Sequence, residues 1–391
     1  MTVINNLISF CTWRRTVFQA LNGNSKNFLA TEFFSTKNPQ KKRRVIEPKL
    51  HAYVVQKADT TEILKNAEKL KEILKKKGRL SAVDMDLCAR INTSTMNEIL
   101  LHLHSFILLD STYCLDSLFY KVFIEYLRKG SLEQLKWDQL IQIIYYVAYM
   151  QDEETKELTI KCLNHIQRRP EMLTADYRDL CVVLQSAFRE STRFSCHENL
   201  IKRVKQILGN EFFNLVDNTV WLSMICKGLR ITNFNDKQTL TELAENLKKS
   251  PLVDRFSIMS ASIVIELYSG ALLKDELLLN TLVKASAKDV RNYLDKCNIK
   301  NRRSLRPPRL KDLGRVMYGL MKLNHPIEKS LLDTVFVPYF ITVDREKMRR
   351  NFENTNYFEI VCLIGFWFLG YDLSLIGNTC QEVAEAIPGK L

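Results

Sequence analysis

The amino-acid sequence predicts an all-α fold, an α-solenoid of about seven helical hairpins with ~40-residue repeats. Three observations carry that expectation. Only 12 Gly and 9 Pro occur in 391 residues, too few for the frequent turns of a β-sandwich or barrel. From about residue 60 onward, apolar residues recur every three or four positions, the spacing that lays them along one helix face. These segments come in pairs, and the pairs recur at a nearly constant interval. At 46% hydrophobic and 26% charged residues, the chain can bury a large core.

Thr60 or Thr61 can cap a lysine-rich helix that ends at Gly78, and Ser81 opens a second. This assigns 46–92 to N-terminal capping helices and 93–391 to a helical-repeat domain. Within that domain a longer apolar helix is followed by a more amphipathic one. The first members are STMNEILLHLHSFILL from Ser94, WDQLIQIIYYVAYM from Trp137, DYRDLCVVLQSAF from Asp176, DNTVWLSMICKGL from Asp217, FSIMSASIVIELYSG from Phe256, RLKDLGRVMYGLMKL from Arg309 and YFEIVCLIGFWFLG from Tyr357. The second members start near Cys114, Glu153, Cys196, Lys237, Lys274 and Ile327, with a last one in the final segment to Ile387.

One aliphatic anchor in each first helix gives Ile99, Leu140, Leu180, Leu222, Ile263, Leu313 and Ile360, at spacings of 41, 40, 42, 41, 50 and 47 residues. Six positions after the anchor stands a small residue in five units: Ser105, Ser186, Gly228, Ser269 and Gly319. Tyr146 and Phe366 are the exceptions, with Ala148 and Gly365 close by. A small residue inside an apolar helix lowers helix propensity, so the pattern predicts that a neighbouring helix approaches closely there.

The formal net charge of +13 and pI near 9.2 point to an anionic partner such as nucleic acid. Much of the excess lies in residues 1–45, which hold eight Lys and Arg against the single acid Glu32. Their mixture of Arg, Lys, Ser, Thr and Asn with scattered bulky apolar residues reads as a mitochondrial transit peptide or disordered leader, and so points to the matrix. Lys41 to Val45, KKRRV, resembles a nuclear localisation cluster, and the nucleus is the alternative. Arg14 and Arg15 interrupt the one candidate secretory h-region. The ten cysteines form no C-x-x-C and sit mostly in apolar helical patterns, where a thiol behaves as a small hydrophobe. The most apolar run, from Ile360 to Tyr371, is 12 residues long, short of the ~20 a bilayer crossing needs.

The basic loop 296–311 is the candidate site. Seven basic residues fall between Lys296 and Lys311 with no acid among them, where the repeat spacing widens to 50. Pro307 and Pro308 hold it extended, so that Lys300, Arg302, Arg303, Arg306, Arg309, Lys311 and Arg315 become candidate RNA contacts. Arginine suits phosphate because its planar fork can pair two oxygens, and counterion release makes such binding salt-dependent. Trp137, Tyr145, Tyr146 and Tyr318 could stack on bases, although aromatic residues in apolar helices more often fill a core. The clusters around Arg345, Arg168 and the 60–79 helix read as solvated faces.

A leader followed by degenerate ~40-residue helical pairs, with first helices such as LIQIIYYVAYMQDEETKEL and LGRVMYGLMKLNHPIEKSLL, resembles the heptatricopeptide and octotricopeptide repeat proteins and the helical region of the FAST-kinase-domain family. The resemblance covers Ser94 to Ile387. It implies an organellar protein that binds mitochondrial mRNA or rRNA, acting in RNA metabolism or built into the mitochondrial ribosome beside other organellar proteins. No RAP domain is recognisable after Trp367, so the endonuclease activity proposed for that domain is not carried over.

Signatures of chemistry are lacking. The six histidines show no ligand spacing, and neither a Walker loop nor a dinucleotide fingerprint occurs. His102 and His104 lie two residues apart and cannot share a helix face, and Cys196-His197 reads as a helix start. No catalytic residue, metal or cofactor is therefore expected. The alternative to RNA binding is a protein-interaction scaffold or assembly factor.

Overall fold

The computed structural model describes residues 48–149, 153–189, 195–215, 218–232, 234–297, 307–351 and 355–386. The leader 1–45 and the centre of the basic loop lie outside the described residues. Those described are helical throughout, with no strand among them, and the protein is an all-α solenoid of stacked hairpins.

The chain enters with α1 (Pro48–Gln56), α2 (Thr60–Lys77) and α3 (Leu80–Arg90). The hairpins follow as α4 (Met96–Leu109) and α5 (Leu118–Lys129), α6 (Trp137–Tyr149) and α7 (Glu153–Ile166), α8 (Tyr177–Arg189) and α9 (Glu198–Leu208). Next come α10 (Thr219–Ile231) and α11 (Lys237–Lys249), then α12 (Ile258–Gly270) and α13 (Glu276–Cys297). α14 (Leu310–Lys322) pairs with α15, which runs through Lys329–Leu331, a π turn over Leu332–Phe336, and Val337–Thr342. The short α16 (Arg345–Asn351) leads to α17 (Thr355–Phe368) and α18 (Gly377–Glu385).

Every first and second helix read from the periodicity is present. Two starts differ in their chemistry. Asp59, rather than a threonine, caps α2, its carboxylate accepting from the backbone N–H groups of Thr61 and Glu62, since a carboxylate is the stronger acceptor at the positive end of a helix. α3 begins without a side-chain cap of its own. As the sequence suggested, α2 ends at Gly78, whose φ of 69° is the left-handed conformation that glycine tolerates. α13 is longer than its apolar pattern, so Lys296 stands on its last turn rather than in a loop.

The first helices stack as a row. α2 packs on α4, and α6, α8, α10, α12, α14 and α17 each pack on the one before. The second helices form a parallel row in which α9, α11, α13 and α15 follow one another. α2 and α3 extend the same arrangement, with α3 against α5. Contact between α4 and α6 is sparser, and there α1 lies against α6 and α8.

Small residues let the first row close up. A Cβ on Gly228 of α10 would stand 2.4 Å from Leu184 Cβ of α8, one on Gly319 of α14 2.4 Å from Ile265 Cγ2 of α12, and one on Gly365 of α17 2.5 Å from Met317 Cβ of α14. Ser105 serves the same end at α4, where its hydroxyl donates to the Ile63 carbonyl of α2 at 3.1 Å. Ser105, Gly228 and Gly319 of the periodic set, and Gly365 one position short of it, are thus contact points of the row.

Buried polar groups tie helices across units. Tyr146 Oη meets His104 Nδ1 at 2.6 Å, and His104 Nε2 meets Gln142 Oε1 at 2.7 Å. Burial pushes the His104 ring down to about 4, with the Gln142 bond acting the other way. Asp84 of α3 accepts from the backbone N–H groups of Leu118 and Phe119 at 2.9 and 2.7 Å, so α5 is capped by its neighbour. His197 caps α9 through Nδ1, which accepts from Asn199 N, the helix start that its place beside Cys196 suggested.

Candidate nucleic-acid interface

Four of the seven candidate contacts, Lys300, Arg302, Arg303 and Arg306, lie outside the described residues. The other three sit at the start of α14. Arg309, just before the helix, forks onto Asp312 at 2.8 and 3.1 Å. The Lys311 ammonium lies 5.6 Å from the Phe358 ring centroid. Arg315 pairs with Glu266 of α12 at 3.3 Å and reaches Asp312 at 3.8 Å. Pro308 is anchored where its carbonyl accepts from the Tyr339 hydroxyl.

Arg309 and Arg315 therefore do not project singly along an extended loop. They belong to a wider cluster on the first-helix row. Glu266, 13% exposed, takes Arg315 on Oε2 and Arg230 of α10 on Oε1, the latter at 2.8 Å. One carboxylate thus bridges two guanidiniums from helices on either side of its own. Along α14, Lys311, Arg315, Tyr318 and Lys322 are spaced by four, three and four residues, which puts them on one helix face. Tyr318 is half-buried and Lys322 exposed. On α17, Tyr357 is half-buried beside Phe358, their rings edge-on at 5.2 Å.

The electrostatics of the cluster are those of an excess of cations. Lys322, although its side chain is exposed, is held below the ordinary lysine value by partial desolvation of its ammonium and then by Arg230. Lys311 is lowered by burial, then by Arg315 and Arg309. Arg315 is lowered by burial despite its two acids. Tyr318 and Tyr357 are raised by burial, and the Glu266 charge adds to both shifts. Arg230, Arg309, Lys311, Arg315 and Lys322 face only Glu266 and Asp312 in these interactions.

Of this cluster the sequence singled out Arg309, Lys311, Arg315 and, as a stacking candidate, Tyr318. It missed Lys322, which the helical spacing from Lys311 could have supplied. Arg230, Glu266 and Tyr357 come from other hairpins, and no local pattern joins them. Tyr145 and Tyr146 are buried, and Trp137 donates its indole N–H to Asp179 at 2.8 Å. Elsewhere Arg345 pairs with Glu382, Arg349 with Glu359 at 2.9 Å, and Arg169 with Glu171 at 2.7 Å, whereas on α2 Lys71 pairs with Glu68 and the remaining lysines lie on its exposed face.

Among the described residues no group of three or more His, Cys, Asp or Glu side chains is placed to hold a metal ion, and no helix is long and apolar enough to cross a membrane. No protein-family model matches the chain, and no curated protein matches it in sequence. The fold and this surface define it as an all-α helical-repeat protein with a basic, aromatic patch on its first-helix row.

Proposed function

We propose that the protein is a mitochondrial RNA-binding helical-repeat protein, acting in organellar RNA metabolism or as a subunit of the mitochondrial ribosome. The observation that supports this reading is the gathering of Arg230, Arg309, Lys311, Arg315 and Lys322 against two carboxylates on one row of stacked helices. A surface with surplus positive charge attracts a polyanion, and counterion release supplies affinity at each phosphate contact. The acid-poor leader supports the mitochondrial address. Lys300, Arg302, Arg303 and Arg306 extend the basic run in sequence from this patch.

A second reading, a protein-interaction scaffold, has its own support at the far end of the stack. There Trp367, Phe368 and Leu375 are 43%, 42% and 71% exposed, a set of apolar side chains suited to a protein partner. Ultraviolet crosslinking in isolated mitochondria, followed by recovery of the tagged chain, separates the two. RNA binding is expected to yield organellar RNA in amounts reduced when Arg302, Arg303, Arg306 and Arg309 are changed to Glu. Recovery of no RNA above an untagged control, with proteins retained after ribonuclease treatment, would replace the first reading with the second.

A further inference from the structure

We infer that the first-helix row between α10 and α17 is a subsite for unpaired RNA, in which Arg230 and Arg315 hold phosphate and Tyr318 and Tyr357 carry bases. This rests on the RNA-binding reading above and adds the place on the fold and the strand state.

The phosphate contact follows from how Glu266 is used. Its two oxygens take one guanidinium each, Arg230 through Nη2 and Arg315 through Nε. A guanidinium carries five N–H donors in a fixed fork, so one carboxylate leaves donors on both arginines for another oxygen acid. Glu266 ties the two guanidiniums to one carboxylate, and the other acid near Arg315, Asp312 at 3.8 Å, is shared with Arg309. It is a positioning residue that presents a pre-formed pair of guanidiniums, and Arg315, at 13% exposure, is restrained for that task. Lys322 stands two turns beyond Arg315 on the same face of α14, and Lys311 one turn before it. Neither lysine pairs with a carboxylate among the described residues.

The base platforms follow from what separates these cations. Tyr318 lies between Arg315 and Lys322 on the α14 face, and Tyr357 belongs to the next first helix, packed directly on α14. Both residues are half-buried, held by their surroundings while part of each stays open. Aromatic platforms interleaved with phosphate-binding cations suit single strands, whose unstacked bases can lie on a ring. A duplex keeps its bases inside and would meet the cations alone. An acidic peptide would use the arginines and lysines but gain nothing from the ring faces.

The test is fluorescence anisotropy with the full chain, using a labelled short oligouridylate and, separately, a labelled RNA duplex. Changing Tyr318 and Tyr357 together to Leu is expected to weaken oligouridylate binding by about tenfold or more while leaving duplex binding unchanged. Lys322→Gln, on an exposed position, is expected to reduce the slope of log affinity against log salt by about 0.7. Wild-type thermal melting of both variants establishes that they fold, and the lysine variant keeps the test open if the tyrosine variant does not. Unchanged oligouridylate binding and salt slope in folded variants would overturn the subsite while the RNA reading stood. Displacement of the oligouridylate by polyglutamate as readily as by unlabelled oligouridylate would overturn it in favour of an acidic peptide. Failure of the wild-type chain to bind either RNA would remove the functional reading and the subsite with it.

Discussion

Replacing Gly228 by Ala tests the stacking of the first-helix row. In an open helix position the change stabilises, because Ala exceeds Gly by about 1 kcal/mol in helix propensity. Here the added methyl would stand 2.4 Å from Leu184 Cβ, with Leu184 Cα and C at 3.3 Å. Carbon atoms prefer ~3.5–4.0 Å, so α8 and α10 would have to separate by about an ångström. Leu184 Cβ is fixed to its backbone and cannot turn away as the end of a long side chain could. Overpacking of this kind costs about 1–3 kcal/mol, which outweighs the propensity gain at most of that range. The expected result is a net loss of about 1 kcal/mol, or a fall of a few degrees in melting temperature, read by circular dichroism in urea and on heating. Gly270 provides the control, since a Cβ there meets nothing within 4 Å, and Gly270→Ala is expected to be neutral or mildly stabilising. A Gly228→Ala chain as stable as the Gly270→Ala chain would refute the close approach of α8 and α10 as the reason for the periodic small residues.

Three further outcomes follow from buried polar groups. The His104 ring titrates at about 4 when folded, against 6.5 for an ordinary histidine, so the unfolded chain takes up the proton first as pH falls. Stability is therefore expected to drop between pH 6.5 and 4 by about 3 kcal/mol from this group; in His104→Gln, urea titrations across that window should show roughly one proton less of pH dependence. Asp84→Ala leaves the Leu118 and Phe119 N–H groups without their carboxylate, and a loss of about 2 kcal/mol is expected on denaturation. Changing Tyr53 to Phe and Lys57 to Met together strips Asp179 of two of three donors; about 3 kcal/mol should be lost, with hydrogen exchange rising first in α1, and unaltered exchange there would dissociate α1 from that carboxylate.

The hairpins were legible in the sequence because each must bury one apolar face, and that need repeats at a period the chain displays. Gly228 and Gly319 were legible for the same reason, standing at a fixed offset from Leu222 and Leu313. The place of α1 was not. Pro48–Gln56 is a short element whose meaning lies in partners as distant as Asp179 and Trp221, and its neighbours in sequence give no sign of them. The candidate site divided along the same line. Arg309, Lys311 and Arg315 announced themselves by local charge density, whereas Arg230 and Glu266 are brought to them by the stacking of α10, α12 and α14. Nor did charge density show that Asp312, buried within α14, would hold Arg309.

Two acids on the first-helix row carry opposite balances of charge. Asp179 is 4% exposed and receives the Tyr53 hydroxyl, the Trp137 indole N–H and the Lys57 ammonium. Lys57 is itself shared with Asp138 at 2.7 Å, so two acids meet one cation and three donors converge on a buried carboxylate. Such a group is saturated and fixes α1 in place. Glu266 has the opposite balance, one acid between two arginines, with Asp312 shared by Arg309 and Arg315 and with Lys322 and Lys311 nearby. Desolvation first and neighbouring cations next lower Lys322, Lys311 and Arg315 from their ordinary values. A phosphate at this place would supply negative charge to the cluster with Glu266 still in position. The same stack thus holds a closed polar site where the N-terminal helix docks and, several hairpins further on, an open one whose deficit of negative charge fits the polyanion we propose for it.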